Sequence, residues 1–379
     1  MFKFRLTTSL KSGAAQRPGA SATLSYMDVT ARAMSGGQFY NENSLTQASA
    51  SANGLTLIDA AVRDLRDVGP APVVADFGSA GAGNSLQPVA RAIELLRSQH
   101  AIDEVTVVHA DLADNDWKAM FTTISERPDS YVNLATPTRV LAAAGSFYGQ
   151  LLPSSWVDLA WTSGSLHWLS HPPCPINDHF FVQSSTDAIA RTAFHETSRV
   201  DWESFLTHRA VELRPTASLV FVDVLMGDDD AMGSERLFNA VEEGIRHARN
   251  SGSLTVAECA SLIYPTWFRS LADIRAPFPS FRGPNGARLE LTDLIPCEIP
   301  DPFIAEYEAG GDADRYATNQ IGFLRGFLEP TFIAQLSHRT DAQVVVAEIW
   351  QAAAKEISAD PSWASPTYRL VAGRIKRED

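Results

Sequence analysis

The sequence predicts an α/β protein: a doubly wound, Rossmann-like sheet with a mostly helical lid. Three observations carry that reading. Short apolar runs alternate with helical periodicity from Leu45 to Leu225. A glycine-rich turn, Asp76-Phe77-Gly78-Ser79-Ala80-Gly81-Ala82-Gly83-Asn84, joins one such run to a helix. From Gly227 onward the pattern turns to helices broken by Pro265, Pro277, Pro279 and Pro284.

Residues 1–24 are rich in Ser, Ala and Gly and carry Lys3, Arg5, Lys11 and Arg17 before the first acid, Asp28. They lack amphipathic length and an apolar stretch, so they read as a flexible extension rather than a targeting signal. Leu45 to Asp67 reads as a helix, apolar at Leu57, Ile58, Ala61, Val62 and Leu65, and Gly69-Pro70-Ala71-Pro72 stops it. Val73–Phe77 is a strand running into the glycine turn, and Ser85–Gln99 is the helix that follows. Val105–His109 is the next strand, closed by Asp111; Tyr131–Leu134 and Trp156–Trp161 are further strand candidates.

Ser185–Leu213 is a long helical stretch and Ser218–Leu225 a strand of fully buried type. Ser234–Asn250 is helical, Thr255-Val256-Ala257-Glu258 is a capping box, and Arg315–Leu336 is a Phe-rich helix. Leu289–Ile295 and Tyr368–Ile375 read as strands returning to the sheet edge. The expected division is a core of 25–228 with 286–300 and 339–379, and a lid of 229–285 with 301–338.

With 379 residues, 45% hydrophobic and 20% charged, the composition is that of a soluble globular protein. Against 45 acidic side chains stand 31 basic ones, a formal charge of −14 that repels phosphate backbones. Nucleic acid is therefore not an expected partner. The three cysteines are widely spaced without a Cys-x-x-Cys pair, and the nine histidines show no metal-binding spacing, so no metal is expected. No apolar run approaches the roughly 20 residues that span a bilayer, so no membrane partner is expected either. Free thiols in a soluble chain suit the cytoplasm.

In Asp76-x-Gly78-x-x-Gly81-x-Gly83, small residues stand where a ligand must approach the backbone, and glycine permits positive φ. The spacing departs from the dinucleotide fingerprint Gly-x-Gly-x-x-Gly. One acid before the turn and a second, Asp111, after the next strand suit a ligand with ribose hydroxyls and a positive charge. S-adenosylmethionine has both. On the turn alone, a dinucleotide or a tight turn without any ligand remains open.

Four phrases then occur in order. They are Asp76–Leu86, Asp111-Leu112 with Asn115-Asp116, Gly145-Ser146-Phe147-Tyr148-Gly149, and Ser163–Ser170 followed by Pro172-Pro173. Together they resemble the SABATH family of O- and N-methyltransferases, which methylate small carboxylic acids and some ring nitrogens. The similarity runs from about Met34 to Ile375. It implies a class I methyltransferase sheet, S-adenosylmethionine as cofactor with S-adenosylhomocysteine as product, a small-molecule carboxylic acid as substrate, and a homodimer.

Carried over by position, the resemblance implies a cofactor site of Asp76, Gly78, Asn84, Asp111 for the ribose, Leu112 against adenine, and Ser146 and Phe147 at the adenine end. Met34-Ser35-Gly36-Gly37, Tyr40, Asn43-Ser44 and Gln47 resemble the family's entry motif, shortened between Gly37 and Tyr40. There Tyr40 and Ser44 would meet the cofactor and Gln47 the substrate carboxylate. Trp168 would give the carboxylate its second hydrogen bond, and Leu237, Phe238, Leu324 and Phe327 would close the lid. Salicylate-type members carry an aromatic residue where this chain has Gly164, which opens volume beside the acceptor and argues against a snug benzoate or salicylate pocket and for a longer or bulkier acid. His167 does not identify a substrate.

The chemistry suits these residues. A carboxylic acid with pKa of about 4–5 is ionised at neutral pH, so methyl transfer to it needs no general base. Neutral donors such as Gln47 and Trp168 hold the carboxylate without neutralising it, as an Arg would. Each residue has a plainer reading: Trp168 and Phe147 as packing, Gln47 as a surface helix residue, His167 as a hydrogen-bonded wall residue, Phe323 and Phe327 as core. The expected activity is esterification of a small or medium-sized apolar acid, of fatty-acid or jasmonate/terpenoid type. The alternatives are N-methylation of a heterocycle, a non-catalytic acid- or cofactor-binding protein, and, remotely, a nicotinamide oxidoreductase.

Overall fold

The apolar runs of the sequence form the centre of a mixed seven-stranded sheet in the computed structural model, which describes residues 34–36 and 39–378. The expected 1–24 extension, Gly37, and the side chain of Tyr40 lie outside the described residues. The strands are β1 (Val73–Phe77), β2 (Val105–Asp111), β3 (Thr138–Ala144), β4 (Val157–Ser163), β5 (Leu213–Val224), β6 (Leu289–Pro300) and β7 (Thr367–Arg377). Their order is β3-β2-β1-β4-β5-β7-β6. β1 to β5 run parallel, while β7 is antiparallel to both β5 and β6. β1 and nearly all of β2 and β4 are buried, as strands covered on both faces must be.

The helices are α1 (Phe39–Glu42), α2 (Leu45–Ser51), α3 (Leu55–Asp64), α4 (Leu86–Gln99), α5 (Trp117–Glu126), α6 (Ala188–Glu212), α7 (Glu235–Asn250), α8 (Val256–Ser261), α9 (Leu271–Arg275), α10 (Ile304–Gly310), α11 (Ala313–Gln335), α12 (Ala342–Ala359) and α13 (Pro361–Ala364). The single helix expected over Leu45–Asp67 is broken by a tight turn at Ala52–Gly54. Asn53 bonds back to the Ser49 and Ala50 carbonyls at 3.3 and 3.1 Å, competing with the helical ladder. A Cβ at Gly54 would come within 2.5 Å of the Trp161 ring, so the break lets that ring pack against bare backbone.

One further expectation is corrected. Tyr131–Asn133 is a 3₁₀ turn, capped by Ser130, whose side chain accepts from Val132 N. The strand beside β2 is instead Thr138–Ala144, a largely exposed edge strand whose Val140–Ala144 run ends in three alanines, a residue type that strands disfavour. α12 carries no expectation, yet it packs against α7 and α11 with Val345, Val346, Ile349 and Trp350 buried. A Cβ at Gly244 of α7 would meet the Ile349 carbonyl of α12 at 2.4 Å, so bare backbone at that position sets how near the two helices lie. The capping box of α8 forms as expected, with Thr255 and Glu258 exchanging side-chain-to-backbone bonds.

Candidate active site

β1 and β4 are neighbours whose connections leave in opposite directions, the switch point where doubly wound sheets open a crevice. A cavity of about 390 Å³ lies there, walled by the residues that follow β1, β2, β3 and β4. Gly78, Asp111, Leu112, Ser146 and Phe147 of the expected cofactor set line it, together with Tyr148 and Ser165.

The glycines of the turn divide their roles. Gly78 has φ 77°, and a Cβ there would lie 2.1 Å from Ser165 Oγ and 2.6 Å from Ser165 Cβ. The other left-handed positions are Ala80 and Ala82 (φ 44° and 60°), not glycines. Gly81 and Gly83 are needed for close approach: a Cβ on either would meet Asn41 Oδ1, at 2.7 and 2.6 Å. Asn41 in turn donates to the Gly81 carbonyl at 3.3 Å, fastening α1 onto the turn.

Asp111 Oδ2 accepts from Ala80 N and Oδ1 from Leu112 N, both at 2.7 Å. Burial raises its carboxyl to about 6; the two backbone bonds oppose the rise and the charges of Asp76 and Asp114 add to it. Each oxygen keeps a lone pair for a further donor, which suits a pair of ribose hydroxyls. Leu112 and Phe147 add apolar surface for a planar base. These residues fit S-adenosylmethionine.

Three expected cofactor residues stand behind this wall rather than in it. Asp76 is 1% exposed, with Oδ2 2.8 Å from His109 Nδ1, while His109 Nε2 lies 2.7 Å from the Tyr131 hydroxyl. Burial, with the Asp76 charge, pushes the Tyr131 hydroxyl far up, so it stays protonated. Ser44 donates to Asn84 Oδ1 at 3.3 Å, tying the start of α2 to the turn. Their side chains are consumed in holding the turn in shape.

A second cavity, of about 100 Å³, adjoins the first; both are lined by Met34, Ser163, Gly164 and Trp168. Of the expected substrate set, Gln47, His167, Leu237, Phe238 and Phe327 line it, with Phe323, Tyr264 and Phe268. Leu324 does not. It is fully buried on another side of α11, a helical turn of about 100° from Phe323, and Phe323 takes the wall position instead. Gly164 has φ 63°, and nothing lies within 4 Å of a Cβ built there. Among the described residues no Lys or Arg lines this cavity. Among the described residues, Gln47 Nε2 and Trp168 Nε1 donate to no protein group, and Gln47 Oε1 is buried without a partner. Two neutral N–H donors thus remain available at an apolar chamber.

Several supporting residues carry no motif. Arg209 and Glu212 form a buried pair on α6, Nε to Oε2 at 2.7 Å. The guanidinium lies 4.1 Å over the Phe77 ring and donates to the Phe147 and Gly149 carbonyls at 2.8 and 3.0 Å. Glu212 Oε1 accepts from Leu151 N and Leu152 N at 2.6 and 2.9 Å. The pair therefore pins the loop after β3 from beneath. Tyr148 hydroxyl donates to the Trp168 carbonyl, joining the two substrate phrases. His167 Nδ1 lies 2.7 Å from Asp223 Oδ1, and Nε2 3.4 Å from the Tyr264 hydroxyl. A buried Asp–His couple inside a sheet strand and a loop has no sequence spacing by which it could be found.

Residues 29–359 match the sequence profile described as SAM dependent carboxyl methyltransferase. A Fusarium methyltransferase, LUC1, is 27% identical over 250 residues, 64% of this chain and 65% of that protein. The O-methyltransferase acrG of Aspergillus aculeatus is 26% identical over 298 residues, 74% of this chain and 75% of its own length. Among solved structures, loganic acid methyltransferase with SAH superposes with a TM-score of 0.74 at 18% identity, covering 91% of this chain and 99% of that one. That likeness extends the class I methyltransferase fold to this sheet. Among the described residues no helix is long and apolar enough to cross a membrane.

Proposed function

Because the chain belongs to the S-adenosylmethionine-dependent carboxyl methyltransferases, the SABATH family, we propose that it esterifies a compact apolar carboxylic acid with Gln47 and Trp168 as the carboxylate's donors. One observation carries the reading: two neutral donors at an apolar chamber that, among the described residues, no Lys or Arg lines, beside the cavity that fits the cofactor.

When bound, S-adenosylmethionine supplies an electrophilic methyl group on a sulfonium. Asp111 would hold its ribose, and Leu112 and Phe147 its adenine. The rest of the work belongs to positioning. Gln47 Nε2 and Trp168 Nε1 orient a carboxylate, and as neutral groups they leave its charge on the oxygen that reacts. Orientation of two bound reactants contributes about 7–11 kcal/mol to lowering a barrier. Leu237, Phe238, Phe323 and Phe327 exclude water, which keeps the carboxylate weakly solvated and reactive. No group need take a proton, since the acid arrives ionised.

The size of the chamber favours a smaller acid than the longer or bulkier one expected from Gly164. At about 100 Å³ the chamber is smaller than the roughly 150 Å³ engineered cavity that takes up benzene. Short-chain or single-ring acids suit it as it stands; longer fatty or jasmonate-like acids require α7 and α11 to part beside Gly164. The test is incubation with methyl-labelled S-adenosylmethionine and a panel of benzoate, salicylate, jasmonate, farnesoate, a graded series of fatty acids, and xanthine as a nitrogen acceptor. Labelled methyl esters, strongest for compact acids, are expected. Cofactor binding without any ester removes the carboxylate roles of Gln47 and Trp168.

A further inference from the structure

Carboxylate methylation leaves the Asp223–His167 couple without a task, although both residues line the acceptor chamber and are 6% and 7% exposed. Asp223 Oδ1 lies 2.7 Å from His167 Nδ1. A carboxylate only accepts, so in the neutral ring the proton sits on Nδ1 and Nε2 offers a lone pair. The Tyr264 hydroxyl stands 3.4 Å from Nε2, long for a hydroxyl donor, and also lines the chamber. The Phe268 ring, at 5.4 Å and edge-on, and the neighbouring Trp168 ring wall the imidazole on its apolar sides.

We propose that this couple reads a hydroxyl on the body of the acid: Asp223 holds His167 in the tautomer whose Nε2 accepts, so the preferred substrate is a hydroxy acid. Asp223 is a positioning residue acting through His167. A substrate hydroxyl donates to Nε2, and the adjacent Tyr264 hydroxyl stands within reach of the same oxygen. A ketone in that place sets two acceptors against each other, and a methylene leaves the lone pair with only the long Tyr264 contact. The inference deepens the carboxyl methylation proposed above and rests on it.

The experiment compares cyclohexanecarboxylate with its 3- and 4-hydroxy and 3- and 4-oxo analogues, by kcat/KM and by calorimetric Kd in the presence of S-adenosylhomocysteine. At one ring position the hydroxy acid is expected to exceed the oxo acid by about tenfold or more, as sites built for a substrate hydroxyl do. That ratio should fall to within about threefold in both Asp223→Leu and His167→Phe, whatever their effect on the plain acid. ¹⁵N spectra of histidine-labelled protein should show the Nδ1–H tautomer for the signal that His167→Phe removes. Wild type without a hydroxy preference, an Nε2–H tautomer, or a ratio retained in both variants overturns the proposal. Turnover of the plain acid without hydroxy preference defeats this inference and leaves the methylation standing. Tighter binding of the hydroxy acid without methylation of any acid does the reverse.

Discussion

Replacing Gly78 by alanine tests how the cofactor turn and the acceptor loop are joined. The new methyl would enter a backbone at φ 77°, which costs an L-residue about 1–2 kcal/mol. It would also meet Ser165 Oγ at 2.1 Å and Cβ at 2.6 Å. The hydroxyl can turn aside, but the Cβ cannot without moving the loop, and such overpacking costs about 1–3 kcal/mol. Gly78→Ala should therefore destabilise by about 2–5 kcal/mol in all. Ser165→Gly by itself gives up the serine's bonds to the Gly78 and Ser163 carbonyls, at 3.4 and 3.2 Å, which are long and together contribute about 1 kcal/mol. Combined, the two changes should be less harmful than their sum by about 1–3 kcal/mol, because the clash is gone and only the φ strain remains. Pairing Gly78→Ala with Ser165→Ala should show little such relief, since the 2.6 Å contact is to Cβ. Urea denaturation of the four proteins of each cycle reads this directly. Additivity within about 0.5 kcal/mol in the glycine cycle would refute the contact as the link between the two loops.

Trp168→Phe keeps the ring but removes the indole N–H; kcat/KM for the acid should fall by about ten- to a hundredfold, as for a bond to a charged group, with cofactor Kd unchanged. Gly164→Tyr fills open space at φ 63°, so kcat/KM should fall first for bulky acids; equal loss across the acid panel refutes Gly164 as the opening. Asp111 has a raised carboxyl, to about 6, so its stability contribution is present at low pH and lost as pH rises through about 6. Cofactor affinity runs the other way, strengthening over the same window as the carboxylate forms, which a calorimetric pH series checks. Burial raises Glu242 to about 7, while its Oε2 accepts from Phe180 N at 2.9 Å. That contribution too is present below the ordinary glutamate range and lost through about pH 7, so Glu242→Gln should gain up to about 3 kcal/mol at pH 8 and little at pH 4. Thermal melts at the two pH values decide it.

Central strands were legible because both of their faces are buried, which makes Val73–Phe77 and Val157–Trp161 mostly apolar, each interrupted by one aspartate. The edge strand Thr138–Ala144 has its apolar run made mostly of alanine, which does not favour strands, and the nearby Tyr131 imitated a strand although its burial serves a hydrogen bond to His109. Site residues that touch a ligand sit in recognisable phrases: Asp111-Leu112, Ser146-Phe147, Trp168. Those that hold the site together do not. Arg209, Glu212 and Asp223 reach their partners through the fold, across separations of about 60 residues, and no local period marks such pairings. Leu324 and Phe323 differ only in which side of α11 faces the chamber, and an amphipathic pattern rich in Phe on both sides left that rotation undetermined.

The shared wall of the two chambers has a consequence for inhibition. Met34, Ser163, Gly164 and Trp168 are common to both cavities, and Gly164 contributes no side chain between them. One molecule carrying an adenosine-like head and an apolar acid-like tail needs only a short tether past Gly164 to fill both. Such a tether gives the second half a high effective concentration once the first is seated. The compact chamber then becomes the selectivity filter, because a tail trimmed to about 100 Å³ will be rejected less here than by relatives with a differently filled position 164.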